Sequence, residues 1–269
     1  MEERRNRVYR VDGVVLARKD WGEADRLVTL MTPDKGKIRV LAPGARKQTS
    51  RKSGHLELFS RGKFVLARGR TFDKITQAET RDYFPMLREE LERVSAAYLL
   101  GELVDRFLEE NDENPLLYEL LLDSLHRLDA GERAALVLRF FEVKMLGYVG
   151  YQPQLFDCQV CGETLEPLDQ YFNVAEGSAV CPRCSGKGTD FLPMSLDALK
   201  VLRLMQSGEW ELVRRLRVDE PLARELETLL NQYAAYQLER DLKAARFIDQ
   251  VERLTTDDRR PTTANDQNR

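Results

Sequence analysis

The sequence predicts an α+β protein of more than one domain: a small five-stranded barrel first, then an all-helical part carrying a four-cysteine insert. Three observations predict it. Residues 8–84 hold β-branched and aromatic stretches separated by turn residues. Residues 85–150 and 195–251 carry apolar side chains three and four apart. Four cysteines stand as two C-x2-C pairs between the two helical stretches. A chain of 269 residues, 42% hydrophobic and 32% charged, suits two globular domains rather than a disordered chain. The expected division is a barrel over 1–84, a helical domain over 85–254 with its insert at 155–190, and a disordered tail over 255–269.

The barrel strands are expected at Val8–Ala17, Arg26–Met31, Lys37–Leu41, Leu56–Ala67 and Phe72–Tyr83. Pro33-Asp34-Lys35-Gly36, Pro43-Gly44, the polar run Lys47–Gly54 and Gly69 separate them as turns. Five short strands in about 75 residues fit a small closed barrel, of which the oligonucleotide-binding OB-fold is the commonest. An SH3-like barrel has the same strand count, which alone does not separate the two.

Pro85 opens the first helix, where a missing N–H costs nothing. Leu87, Leu91, Val94, Tyr98, Leu99, Leu103 and Phe107 make its apolar stripe. Pro115 starts the second helix, which Asp129-Ala130-Gly131 ends. The third runs from Glu132 to Leu146, with Gly147 as its expected C-cap. Leu196, Leu199 and Leu202 mark a fourth; Leu222, Leu226, Leu229, Tyr233 and Tyr236 mark a longer last one. Thr255–Arg269 is polar, contains Pro261 and lacks an apolar period, which predicts disorder.

Cys158-Gln-Val-Cys161 and Cys181-Pro-Arg-Cys184 form two C-x2-C pairs nineteen residues apart, and use all four cysteines. Two thiolates on one tight turn can reach one ion, and four at tetrahedral geometry suit one structural Zn²⁺ per chain. Rubredoxin-like iron takes the same ligands. A redox C-x2-C needs only one pair and a thioredoxin-like βαβ context, which is missing; a ribbon that has lost its metal would not keep all four ligands. A closed four-Cys site has no open position for substrate. Tyr171–Val174 and Ala179–Val180, around Glu176-Gly177, are expected to pair as a hairpin between the knuckles.

Charge is distributed unevenly. Residues 1–80 hold 19 Lys and Arg against 10 Asp and Glu, while the remainder holds 23 against 35. A basic module joined to an acidic one points to a polyanion on the first only. The candidate phosphate contacts are Lys35, Lys37, Arg39, Arg46, Lys47, Arg51, Lys52, Arg61, Lys63, Arg68, Arg70 and Lys74, against which stand Glu57 and Asp73. The loop from Ala42 to Gly54 adds hydroxyls and backbone N–H groups to its cations, a composition suited to phosphate. Trp21, Phe59, Phe64 and Phe72 are the nearby aromatics able to stack on bases. Nothing in the pattern reads base identity, so binding without sequence specificity is expected.

Other classes lose their carriers. HExxH, GxxxxGK[ST], GxSxG and GxGxxG are missing, the histidines are only His55 and His126, and no run approaches membrane-span length. Charge begins at Glu2, without a secretory h-region, and so few cysteines point to a reducing cytosol. A nuclease needs a carboxylate cluster for Mg²⁺, whereas the basic region offers isolated acids such as Asp34, Glu57 and Asp73. A non-enzymatic protein is the expectation. An RNA-binding or translation-associated OB protein with a zinc ribbon is the alternative.

The order of parts resembles the RecO family of bacterial DNA-repair proteins. The likeness spans roughly residues 6–250. It rests on Asp25-Arg26-Leu27-Val28-Thr29-Leu30 followed by Thr32 and Gly36-Lys37, and on Pro43-Gly44-Ala45-Arg46-Lys47. It continues in Arg139-Phe140-Phe141-Glu142 and in Leu146-Gly147-Tyr148 running toward Cys158-x2-Cys161. The resemblance implies an OB-fold, a helical domain and a zinc ribbon. It implies a cytoplasmic, nucleoid-associated recombination mediator that binds single- and double-stranded DNA and anneals complementary strands. RecR would be its partner, and RecA, loaded in place of single-strand-binding protein, an indirect one. Phosphate contacts are implied at Arg39, Arg46, Lys47, Arg51 and Lys52. The acidic, apolar tail of single-strand-binding protein would dock on the helical domain, with Arg133, Arg139 and Lys144 as candidates.

Overall fold

This computed structural model describes residues 7–185 and 191–257, with side chains as far as residue 239. Five strands open the chain: β1 (Val8–Trp21), β2 (Asp25–Thr32), β3 (Gly36–Ala42), β4 (Arg61–Ala67) and β5 (Asp73–Asp82). Neighbours run antiparallel except β3 and β5, which pair in parallel at Val40 with Asp73 and Leu41 with Lys74. The ring order β1-β2-β3-β5-β4 closes on β1, which is the OB-fold and resolves the choice left open with an SH3-like barrel. β1 serves two partners: its first half pairs with β4, its second with β2, and the register shifts between Val15 and Ala17. Such a bulge sharpens the bend that closure needs. Val11, Val15, Val28, Leu30, Val40, Phe64, Leu66 and Ile75 fill the barrel.

Leu56–Ser60, expected as the start of β4, is not strand. A 3₁₀ turn over Ser53–His55 precedes it, Leu56 is buried in the barrel core, and Phe59 adopts φ 63°. The segment plugs the barrel instead of joining the sheet. Its N–H at Phe59 donates to Val15 O (2.7 Å), and the Phe59 ring meets Tyr98 edge-on.

The helical part comprises α1 (Leu91–Phe107), α2 (Pro115–Asp129), α3 (Ala134–Tyr148), α4 (Leu196–Ser207), α5 (Trp210–Val213) and α6 (Glu220–Asp257). Pro85 starts only a 3₁₀ turn, Met86–Arg88, and α1 begins later. Asn114 caps α2 by accepting from Leu117 N (3.0 Å), and Pro115 follows at the first position, as its sequence predicts. α3 continues one residue past its expected glycine cap, and Gly150, at φ 88°, takes the left-handed position beyond it. On α1 the buried face is Ala96, Ala97, Leu100, Gly101 and Val104. Leu91, Tyr98 and Leu99 of the expected stripe lie outside, Leu91 at 82% exposure. Close approach centres the buried face on Gly101, where a Cβ would lie 3.0 Å from the Phe59 ring, with Leu100 and Val104 buried beside it.

The cysteine insert contains the predicted hairpin, β6 (Gln170–Asn173) against β7 (Ser178–Val180). A third strand not read from sequence, β8 (Phe191–Met194), pairs with β6 on its other edge. Phe172 packs edge-on against Tyr233, which docks this sheet on α6. Thr255–Asp257, the expected start of the tail, lie within α6; the rest of that tail, 258–269, and residues 186–190 of the insert fall outside the described residues. No described helix is long and apolar enough to cross a membrane.

Candidate nucleic-acid interface and metal centre

The four cysteine sulfurs lie within 4.8 Å of one another, and Cys161 Sγ is 4.0 Å from Cys181 Sγ. Tetrahedral Zn–S bonds of ~2.3 Å place sulfurs about 3.8 Å apart, so the cluster has the dimensions of a four-thiolate metal site. Each knuckle is a tight turn. Gly162 N donates to Cys158 O (2.8 Å) with Gly162 at φ 73°, and Cys184 N donates to Cys181 O (2.9 Å). Arg183 pairs with Glu163 across the two knuckles. Burial pushes the Cys158 thiol up, but surrounding N–H groups outweigh it and bring it down to about 6, toward the thiolate a metal requires. Cys181 N donates to that sulfur at 3.4 Å.

The twelve candidate cations separate into two populations. One faces the helical part. Lys37 is 6% exposed and donates to Asp105 O and, at 3.0 Å, to Asp105 Oδ1. Arg39 pairs with Glu110. Arg61 donates to Asp12 (2.8 Å) and reaches Asp82 (3.4 Å), while Tyr118 OH from α2 donates to the same Asp12 oxygen at 2.6 Å. Burial raises the Asp12 carboxyl, but these partners hold it below its usual range. Gly36, at φ 58°, fits against Asp112, whose carbonyl would lie 1.8 Å from any Cβ. Lys37 and Arg39 pair with acids of the helical part, and Arg61 is linked to it through Asp12 and Tyr118; Lys37 is buried in that joint, whereas Arg39 stays half exposed at its edge.

The second population sits around three loops. Arg46 donates to Gly22 O (3.2 Å) and pairs with Asp20, while its own N–H donates to Ala24 O (2.9 Å). The loop after β3 is thereby stapled to the β1–β2 turn. Lys52 reaches Ile75 O (3.1 Å) and lies along β5. Lys35 and Arg68 each stand 5.3 Å from the Tyr9 ring. Lys74 opens β5 beside Leu41 and Ala67. Among the described residues, Lys47, Arg51, Arg70 and Lys74 have neither an ion-pair nor a side-chain hydrogen-bond partner, and all four are exposed. Lys63 is likewise exposed on β4, beside a shallow cleft shared with Asp34 and Glu79.

Two of the four expected aromatics belong to packing. Phe64 fills the barrel and Phe59 the seam with α1. Trp21 and Phe72 remain at the surface, edge-to-face at 5.5 Å.

On the helical part, a cleft of about 360 Å³ between α3 and α6 is lined by Arg133, Leu136, Arg139, Val218, Arg224 and Leu226. Arg133 and Arg139 reach it. Lys144 does not: it donates to Gln206 O (3.0 Å) on α4. Sequence reasoning missed Arg224, which belongs to a distant segment and joins the cleft only through helix packing.

Comparison with known proteins accords with this arrangement. The family described as "Recombination protein O N terminal" matches residues 7–84, and "Recombination protein O C terminal" matches residues 88–246. The DNA repair protein RecO of Roseiflexus sp. (strain RS-1) is 44% identical over 250 residues, 93% of this chain and 88% of that protein. Those of Pelotomaculum thermopropionicum and Desulforamulus reducens are 38% and 37% identical, each over at least 90% of both chains. Two family halves matched in order, over both the barrel and the helices, establish that this chain belongs to the recombination protein O (RecO) family.

Proposed function

We propose that the protein acts in DNA repair as a recombination mediator without bond chemistry of its own. It binds single- and double-stranded DNA on the barrel and anneals complementary strands. With RecR it helps RecA replace single-strand-binding protein, in the cytoplasm at the nucleoid. The observation that carries this reading is the group of unpartnered, exposed cations at the barrel surface: Lys47, Arg51 and Arg70 on loops, and Lys74 at the start of β5. Annealing requires two polyanions to approach, and a surface that neutralises phosphates lowers their repulsion without a nucleophile or a general base. The acidic helical part repels DNA and keeps it on the barrel. Zinc at Cys158, Cys161, Cys181 and Cys184 supplies structure to the insert. The acidic, apolar tail of single-strand-binding protein would meet Arg133, Arg139 and Arg224 with Leu136 and Leu226 in the α3–α6 cleft, in competition with Asp219, Glu220 and Glu227 of the same lining.

The test is a salt titration of DNA affinity with the full chain. Replacing Lys47, Arg51, Arg70 and Lys74 together with Ala should weaken binding alike for unrelated sequences. Each phosphate contact contributes about 0.7 to the log–log salt slope on single strands, so the slope should fall by roughly 2–3 units. Annealing should fall in step. An unchanged affinity and slope would refute the barrel surface as the DNA site.

A further inference from the structure

Resting on the DNA-binding reading above, we propose that Trp21 and Phe72 form a base-stacking platform that makes this barrel prefer single-stranded over double-stranded DNA. Trp21 ends β1 at the tip of the β1–β2 hairpin, where it faces Asp25 across the turn. It is 44% exposed, although a tryptophan has much apolar area to hide. Phe72 comes from the β4–β5 turn, far away in sequence, and meets Trp21 at an interplanar angle of 83°. In such an edge-to-face pair one ring supports the other from the side. Each ring of such a pair leaves at least one face uncovered by the other; Trp21 is the more exposed ring and the half-buried Phe72 is its support.

Both turns are held. Gly69 N donates to Asp73 Oδ1 (2.9 Å), and Tyr9 OH donates to the other oxygen of the same carboxylate. A Cβ at Gly69 would lie 1.9 Å from Phe72 O, so the turn tightens against a bare glycine. Arg46 ties the hairpin tip through Gly22 O, the residue after Trp21. Arg70 stands two residues before Phe72 and Lys74 two after it, so phosphate-binding charge flanks the rings. The two OB-fold loops concerned, β1–β2 and β4–β5, are those that commonly grip oligonucleotides.

The selectivity follows from geometry. An unpaired base offers its π-face to any aromatic ring. In a duplex both faces of each internal base are covered by its neighbours, so the platform has nothing to stack on while the cations still meet phosphate. Cations therefore supply affinity for both forms, and Trp21 adds to the single strand alone. Phe72 is a positioning residue, acting through Trp21.

The experiment uses the full chain, a fluorescein-labelled dT oligonucleotide of about 15 nucleotides, and a duplex of the same length. Anisotropy reports binding, and tryptophan emission reports stacking. The only other tryptophan, Trp210, is buried in the helical part, so the difference between wild type and Trp21→Phe isolates Trp21. The dT strand should quench that signal and the duplex should not. Trp21→Ala should weaken dT binding roughly 5- to 150-fold and leave duplex affinity within about twofold. Phe72→Leu should act in the same direction, with Phe72→Tyr restoring it. Equal dT affinity for Trp21→Ala and wild type, or an equal loss for strand and duplex, would overturn the platform while leaving the barrel as the DNA site. Failure of the wild-type chain to bind either DNA would overturn both.

Discussion

Arg139 and Glu142 stand one turn apart on α3, 3.0 Å from each other, at 7% and 6% exposure. Burial pushes the Glu142 carboxyl up to about 7; Arg139 opposes that shift and Glu227 adds to it. A carboxyl whose folded pKa exceeds its unfolded value keeps its proton in the folded chain after the unfolded chain has lost it. Stability therefore falls as pH rises from about 4.5 to about 7, by up to ~3 kcal/mol. Urea melts across that range should show wild type losing stability relative to Glu142→Gln, which has no proton to release. Parallel pH profiles for the two proteins would show that Glu142 titrates normally. The same residues form part of the sequence likeness to the family, and the fold uses them as a buried ion pair beside the α3–α6 cleft.

At the scale of the element, the cysteine insert and α1 show opposite dependences. The hairpin β6–β7 and its added strand β8 are short; Leu155, Phe172, Val174, Ala179 and Val180 lean on the core of the helical part, while the knuckles themselves are tied by turn hydrogen bonds and four thiols. A metal held by the four thiolates would add folding free energy to the knuckles. Cys161→Ser should lose bound zinc, measured by elemental analysis of protein purified without chelator. Hydrogen exchange should then quicken over 155–185 and stay unchanged in β1–β5. Zinc-free wild-type protein, or iron in its place, would contradict the assignment. Helix α1 depends instead on small side chains, because its Gly101 face sits against Phe59 in the barrel plug. Leu91, Tyr98 and Leu99 of the expected stripe are left outside, while Leu100 and Val104 are buried beside Gly101.

At the scale of the molecule, basic barrel and acidic helices meet through matched charge. Lys37 with Asp105, Arg39 with Glu110, and Arg61 with Asp12 and Tyr118 join them, and the apolar core of the helices takes in Val14, Leu16, Met31 and Phe59 from the barrel side. A cation inside this joint should behave differently from one on the loops. Lys37→Met should cost about 0.5–1.5 kcal/mol of stability, the net worth of its hydrogen bonds to Asp105, whose carboxylate stays half exposed to water. The salt slope of DNA binding should stay where it is. A slope reduced by about 0.7 with unchanged stability would place Lys37 on phosphate instead.

Much of this molecule is legible in its amino-acid sequence. Strand and helix types follow from apolar periods and turn residues, and the start of α2 follows from Pro115, a preference local to the chain. The paired cysteines of the cluster follow from their spacing, because each knuckle is a contact within four residues. Three features are not legible there, and each depends on contacts between distant segments. Leu56–Ser60 has strand composition, yet α1 and the barrel mouth draw it into a plug. The twelve cations look equivalent in sequence; an acid of the helical part opposite Lys37 and Arg39, and Asp12 held by Tyr118 beside Arg61, separate these three from Lys47, Arg51, Arg70 and Lys74. Four aromatics near the basic loops look alike, but barrel closure buries Phe64 and helix docking buries Phe59, leaving Trp21 and Phe72 to meet at the surface. Local composition sets what a segment can be, and burial by a remote partner sets which of its side chains stay available, because desolvation and pairing are properties of the assembled chain.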